Sequence, residues 1–230
     1  MEEKKIESGE KKARFLYVTQ IKHLFPQSTC IVPISLGQPY HEGEPFKAIM
    51  QLVNKHFKAC TLIVADTLQR HTLSLYQGDL SEEALFQLAL KNGEEWLMRN
   101  KEIISSMTIP CQITRWEEWR QNPEFLDKLR IVEQLHRENT GFKDALYITA
   151  QTFVDRFKKH ATDLNLEKAF NQSIKYIKEE CACNFLFIKK LFAFILYPKA
   201  CSKAFAFFDE KLLKLQCPST LKRVMIGFRK

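Results

Sequence analysis

Residues 30–66 read CIVPISLGQPYHEGEPFKAIMQLVNKHFKACTLIVAD, and this stretch decides the fold class. It opens on Cys30 to Ile34 (CIVPI), a short apolar run of strand type. Helical spacing follows from Pro45 to Phe57, with Phe46, Ile49, Met50, Val53 and Phe57 recurring at intervals of three and four. The stretch closes on Thr61 to Ala65 (TLIVA), β-branched and uncharged, which runs into Asp66. A strand, a helix and a second strand, with both strands apolar on two faces, is the unit from which parallel sheets are built.

The same alternation continues outward. Ser81 with Glu82 and Glu83 suits a helix start, and the pattern runs through Leu85, Leu88, Leu90, Trp96 and Leu97 toward Ile104. Ile109 to Thr114 reads as a third strand. Trp116 to His136 is helical in pattern but interrupted at Pro123, and residues 142–160 and 164–187 are two further helices. Phe192 to Leu196 (FAFIL) reads as a buried strand ending at Tyr197-Pro198, and Arg223 to Phe228 as a last one. The fold class expected is α/β, a mostly parallel sheet flanked by helices. Residues 1–14 (MEEKKIESGEKKAR) read as a mobile charged tail, and 15–230 as a single domain. Ligands of such sheets sit at the carboxyl ends of the strands. That directs attention to Ser35-Leu36-Gly37-Gln38, Asp66-Thr67 and Tyr197-Pro198.

Composition narrows the function classes. The 230 residues carry 35 Lys+Arg against 27 Asp+Glu, a net charge of +8, which permits a polyanionic partner. At 45% hydrophobic and 27% charged the chain is not a disordered one. The uncharged run from Leu191 to Pro198 is far short of the roughly 20 residues of a membrane span. The seven cysteines, at 30, 60, 111, 181, 183, 201 and 217, form no C-x-x-C pair. They read as reduced thiols in a reducing compartment, the cytoplasm. No G-x-G-x-x-G follows a strand, and neither a P-loop nor an H-E-x-x-H is present. Neither a cofactor nor a metal site is expected.

Three positions carry candidate chemistry. Ser35 follows a strand directly with Gly37 two residues on, half of a nucleophile elbow with Pro33 where the first Gly would stand. A turn or cap serine has the same position. His160, Asp163 and His136 are the downstream partners that a serine hydrolase would draw on. Tyr176 and Glu180 share one helix face at i and i+4, either as a solvated pair or as a phenol and carboxylate that hold a substrate ammonium. Tyr197 ends an apolar strand and needs a partner for its hydroxyl if buried.

Together these positions resemble the tRNA-dependent cyclodipeptide synthases. That family's catalytic serine lies in S-x-G-x-x-Y, here Ser35-Leu36-Gly37-Gln38-Pro39-Tyr40. Its Y-x-x-x-E pair is matched by Tyr176 and Glu180, and its late strand-end tyrosine by Tyr197. Gln38 in place of Asn, and Pro198 after Tyr197, agree with the X-Tyr-Pro subfamily. The VADT at residues 64–67 is also similar to the family's. Thr29 and Pro33 replace the family's His and Gly ahead of the serine, and Ala182 replaces a common Pro.

The resemblance implies a Rossmann-like fold similar to class I aminoacyl-tRNA synthetase catalytic domains. It implies two aminoacyl-tRNAs as substrates, joined into a cyclic dipeptide (diketopiperazine) through an aminoacyl-enzyme on Ser35. Tyr176 and Glu180 would hold the first ammonium, and Tyr197 would position the serine or relay protons. Gly37, Gln38 and Tyr40 would belong to the substrate site. By correspondence, the first amino-acid pocket would lie near Ile31, Pro33, Ile63, Trp116, Cys183 and Ile195. The ester arrives activated, so no cofactor is implied. Lys91, Arg99 and Lys101 are candidates for the tRNA backbone, with further clusters at Lys189-Lys190, Lys199, Lys203 and Lys222-Arg223. The rival readings are a serine esterase or acyltransferase using Ser35, and a non-enzymatic RNA-binding domain.

Overall fold

The structure, a computed structural model, describes residues 12–18, 20–77, 79–158, 165–191, 194–213 and 222–229. Residues 1–11, His160, Asp163, Phe192, Ala193, Cys217 and the side chains of Lys189, Lys190 and Lys222 lie outside the described residues. The strands are β1 (Lys12–Leu16), β2 (Thr29–Ile34), β3 (Ala59–Val64), β4 (Cys111–Arg115), β5 (Phe194–Tyr197) and β6 (Lys222–Arg229). They form a six-stranded sheet in the order β1-β6-β5-β2-β3-β4. β2 pairs in parallel with β3 and β5, β3 with β4, and β5 with β6. β1 alone runs antiparallel, along β6. The expected mostly parallel sheet is thus present.

The central strands form where the sequence is apolar without alternation. Ile31, Val32, Ile34, Leu62, Ile63 and Val64 are all fully buried, because helices cover both faces. The helices are α1 (Gly43–His56), α2 (Arg70–Tyr76), α3 (Glu82–Arg99), α4 (Lys101–Ser105), α5 (Trp116–Arg120), α6 (Phe125–Glu138), α7 (Thr140–Lys158), α8 (Leu166–Leu191) and α9 (Lys203–Phe207). On one face Val32, Ile34, Leu62 and Val64 pack with Phe46, Ile49 and Met50 of α1 and Trp96 of α3. On the other, Ile31, Ile63 and Ile195 pack with Trp116, Leu146, Ile177 and Phe187. Side chains alternate along a strand, so Pro33, Ser35 and Tyr197 continue the row that faces α5 to α8.

Two expectations need correction. Lys12, Ala13 and Arg14, assigned to a charged tail, are in β1. As an edge strand it tolerates exposed Lys12 and Arg14, because charge on an edge also guards against pairing with another chain. It is anchored by Phe15, edge-on to Phe25 at 4.9 Å. The helix expected to run on from Ser81 toward Ile104 is broken at Asn100, between α3 and α4. The Asn100 side chain donates to the Trp96 carbonyl at 3.0 Å and so takes up a helix-end acceptor.

Among the described residues, no helix is long and apolar enough to cross a membrane. No group of three or more His, Cys, Asp or Glu there could hold a metal ion.

Candidate active site

β2 lies between β5 and β3, and the chain leaves it toward β3 and returns on its other side as β5. That reversal opens a crevice at the strand ends. A cavity of about 840 Å³ fills it, lined by Pro33, Ser35, Gly37, Gln38, Tyr40, Trp116, Tyr176, Glu180, Ile195 and Tyr197 among others. Gly37 turns the chain after Ser35 with φ of 74°, a left-handed value that favours glycine. A short 3-10 turn at Pro39–His41 then folds Tyr40 back over the site.

Three hydroxyls form a chain at the head of the cavity. Ser35 Oγ and Tyr197 Oη are 2.9 Å apart, and Tyr197 Oη and Tyr40 Oη 3.0 Å. Burial pushes both phenols up from their ordinary value, so they act as neutral donors. His41 fixes the turn from behind. Its Nδ1 accepts the Ser35 backbone N–H at 2.9 Å, and its carbonyl accepts Trp96 Nε1–H at 2.8 Å. Burial drives the imidazole pKa down to about 3, so it is neutral. His41 therefore contacts the Ser35 backbone and not the hydroxyl. His136 is on α6 against Tyr147 instead.

Glu180 and Tyr176, one turn apart on α8, face the same cavity. Burial raises the Glu180 carboxyl to about 7, with Arg223 pulling the other way. Tyr176 is pushed well above its ordinary value by burial and then by the Glu180 charge. Arg223, assigned by sequence to a basic cluster, is instead a wall residue. It is paired through Nε with Asp209 and donates to Asn184 Oδ1 at 3.2 Å.

The neighbouring Glu179 was not picked out from sequence, and it is the hub behind this wall. It accepts from Arg70 at both oxygens, from Trp116 Nε1 at 2.9 Å, and lies 3.2 Å from His71 Nε2. Burial opposes ionisation there, yet hydrogen bonds from His71 and Arg70 hold its carboxyl down to about 2. The hub ties α8 to α2 and α5 and sets the Trp116 ring at the cavity wall.

Of the residues expected at the first amino-acid pocket, Pro33, Trp116 and Ile195 reach the cavity. Ile31, Ile63 and Cys183 are fully buried in the core behind it. Ile31 and Ile63 stand two residues deeper along their strands than Pro33 and Ala65, and Cys183 stands a turn from Glu180 and Phe187, which do line it. Lys91 and Arg99 lie on α3 and Lys101 on α4, none of them lining the cavity. Lys91 is 4.0 Å from Glu95, and Arg99 is 3.0 Å from Glu42. Phe153, Arg156 and Phe157 of α7 also line the cavity and were not picked out. Their spacing of three and four around a cation was the available signal.

No family model and no curated protein sequence matches the chain. Solved structures do. A CDPS (cyclodipeptide synthase) from Fluoribacter dumoffii is 36% identical with a TM-score of 0.92, over 95% of this chain and 98% of that one. A cyclodipeptide synthase from Candidatus Glomeribacter gigasporarum, solved bound to Phe-tRNAPhe, is 21% identical with a TM-score of 0.77, over 94% of this chain and 95% of that one. A Mycobacterium tuberculosis cyclodipeptide synthetase, described as related to type I tRNA synthetases, is 12% identical with a TM-score of 0.66, over 94% and 93%. With the first match at 36% identity over nearly its whole length, this chain belongs to the cyclodipeptide synthase family.

Proposed function

We propose that this enzyme joins two aminoacyl-tRNAs into a cyclic dipeptide through an aminoacyl-enzyme on Ser35. The observation that carries the reading is the Ser35–Tyr197–Tyr40 hydroxyl chain, opening on a cavity whose other wall presents Glu180 and Tyr176. Ser35 Oγ attacks the ester carbonyl, the carbon–oxygen bond to the ribose breaks, and the ribose oxygen leaves with a proton. Tyr197 orients the attacking oxygen through its hydrogen bond. The first residue's ammonium sits against Glu180 and Tyr176.

The second aminoacyl-tRNA then supplies an amine that attacks the Ser35 ester, freeing Ser35 and leaving a dipeptidyl-tRNA. Ser35 takes the dipeptidyl chain back with loss of that tRNA, and the chain's own amino group closes on the new ester, releasing the cyclic dipeptide and Ser35. Glu180, with a pKa near 7, is suited to take the proton that each ammonium must lose before it becomes a nucleophile. Both amide bonds form at the expense of ester bonds, so the sequence balances without an oxidant or reductant.

Gln38 and the pair Tyr197-Pro198 support placement in the X-Tyr-Pro subfamily, and the sheet and helices from Lys12 to Arg229 are taken as one catalytic domain. Lys91, Arg99 and Lys101 form a flank for the tRNA backbone in this reading. A cytoplasmic setting follows from charged tRNA as substrate. The free thiols of Cys30, Cys60, Cys111, Cys181, Cys183 and Cys201 are in keeping with it.

The test is Ser35→Ala. It removes one Oγ, so the fold and tRNA binding should persist while cyclic product disappears. Label from an aminoacyl-tRNA should be trapped on the Ser35 peptide of the parent. Normal cyclodipeptide output from the variant would sink the covalent mechanism. Ester hydrolysis with no cyclic product from the parent would favour the esterase.

A further inference from the structure

The turn that carries Ser35 is held by a helix on the other face of the sheet. Residues 35–41 do two things for the nucleophile. His41 Nδ1 accepts the Ser35 N–H at 2.9 Å, and Tyr40 reaches Ser35 Oγ through the Tyr197 hydroxyl. Within itself the turn is closed by Gln38 N–H on the Ser35 carbonyl at 3.3 Å and His41 N–H on the Gln38 carbonyl at 2.9 Å. A 3-10 segment this short holds its shape poorly alone, so its shape depends on what grips it from outside.

That grip comes from the end of α3. Trp96 Nε1–H donates to the His41 carbonyl at 2.8 Å. The next residue, Glu42, is held at both oxygens. Arg99 Nη2 donates to Oε1 at 3.0 Å, and Asn100 Nδ2 to Oε2 at 3.4 Å. Spacings of three and four set Trp96, Arg99 and Asn100 on one side of the helix end, and Trp96 and Asn100 are buried. Glu42 stands at the N-cap of α1, where an acceptor side chain ordinarily takes the helix's own free N–H groups. It caps nothing there; its carboxylate is turned to α3 instead. A local rule broken in favour of a contact between elements is expected where function requires the contact. None of Glu42, Trp96, Arg99 and Asn100 lines the cavity, so any effect they have on the chemistry passes through the turn.

We propose that Glu42 is a positioning residue for Ser35, by which α3, through Trp96, Arg99 and Asn100, fixes the nucleophile turn in its reactive shape. The proposal rests on the covalent reading given above. With the grip in place, His41 holds the Ser35 backbone and Tyr40 holds Tyr197, so Oγ stands where the ester carbonyl arrives. Loosening the grip displaces the nucleophile and slows its attack without changing what binds the tRNA. Arg99 then meets two anions, Glu42 and, in the reading above, a tRNA phosphate. The first contact acts on the rate at saturation and the second on Kd.

The experiment uses whichever member of a set of singly charged tRNAs labels the parent. It measures the single-turnover rate of acyl-enzyme formation on Ser35 at saturating tRNA, the Kd of that tRNA in a Ser35→Ala background, and Tm. The variants are Glu42→Gln, Glu42→Ala, Arg99→Gln and the Glu42→Ala/Arg99→Gln double. Glu42→Ala should acylate about ten-fold more slowly with Kd unchanged. Glu42→Gln keeps an acceptor for Asn100 and drops the charge that Arg99 meets, so it should lose about three-fold. Arg99→Gln should lose about as much at saturation, whatever it does to Kd, and nothing further in the Glu42→Ala background. A saturating rate in Glu42→Ala equal to the parent's would overturn the proposal. So would a loss seen only in Kd, a lower Tm with the rate kept, or full additivity of the two substitutions. If the parent is labelled on Ser35 and the variants match it, only the positioning role fails. If the parent is never labelled, the covalent reading fails and the positioning role with it.

Discussion

Two adjacent glutamates show how much the direction of one side chain decides. Glu179 and Glu180 lie next to each other on α8, yet a helix turns them about 100° apart. Glu179 meets Arg70, His71 and Trp116 and is held down to about 2. Glu180 meets an open cavity and is raised to about 7. The first is a structural anion, the second a group that changes protonation near neutral pH. Cyclic product formation should therefore rise with pH through about 7, as Glu180 ionises and can hold the ammonium. Glu180→Gln should be low and flat across the same range. Charge-assisted hydrogen bonds are worth about 1.5–3 kcal/mol, so the loss above pH 7 should be about ten- to a hundred-fold. Tyr176→Phe should cost less, since it drops one hydroxyl and keeps the ring. The checks are pH–rate profiles alongside the amount of Ser35 acyl-enzyme. A rise through pH 7 that survives in Glu180→Gln would assign the titration to another group.

At the scale of elements, what could be read from sequence was what one element declares by itself. The central strands were legible because Ile31 to Ile34 and Leu62 to Val64 are buried on both faces and so apolar throughout. Ser35, Tyr176, Glu180 and Tyr197 were legible because each stands at a strand end or at i, i+4 on a helix. The edge strand β1 was not, since KARFL forms a strand only when β6 is there to pair with it. Ile31, Ile63 and Cys183 were assigned to a pocket they stand behind, because two residues along a strand, or one turn of α8, is the difference between cavity and core. Glu179 and Arg156 depend on what α2, α5 and the cavity rim bring to them. Close contact between elements was equally invisible. Gly93 sits where α3 crosses Asp66 and Arg115, and a Cβ there would fall 2.7 Å from Asp66 Cβ and 2.8 Å from Arg115 Nη2. Gly93→Ala gains helix propensity of about 1 kcal/mol but must displace a buried, paired carboxylate, an overpacking cost of about 1–3 kcal/mol. The overpacking should win, lowering Tm by a few degrees in a thermal melt. A higher Tm would mean that the Asp66–Arg115 pair gives way freely.

For the whole molecule, the two glutamates make opposite demands on stability. Glu179 ionises near 2 when folded, against an ordinary 4.5. Its contribution is fully present above 4.5 and is lost as the pH falls toward 2. Glu180 ionises near 7 when folded, against the same 4.5. Below 4.5 the folded and unfolded chains both hold its proton and nothing is lost. Between 4.5 and 7 only the unfolded chain releases it, so stability declines as pH rises, and above 7 the full cost remains. The fold thus carries a destabilising charge at the pH where the proposed chemistry needs one, a common cost of a functional site. Thermal melts of the parent, Glu179→Gln and Glu180→Gln from pH 4 to pH 8.5 separate the two effects. Glu180→Gln should match the parent near pH 4 and melt at a higher temperature above pH 7. Glu179→Gln should melt lower throughout that range, because it leaves Arg70 without its buried anion, a loss of about 3–5 kcal/mol. Its deficit should shrink toward pH 4, where the parent's Glu179 begins to lose its own advantage. If Glu180→Gln is no more stable than the parent at pH 8, the cavity already compensates the Glu180 charge, and its role as a group poised near neutral pH is lost with it.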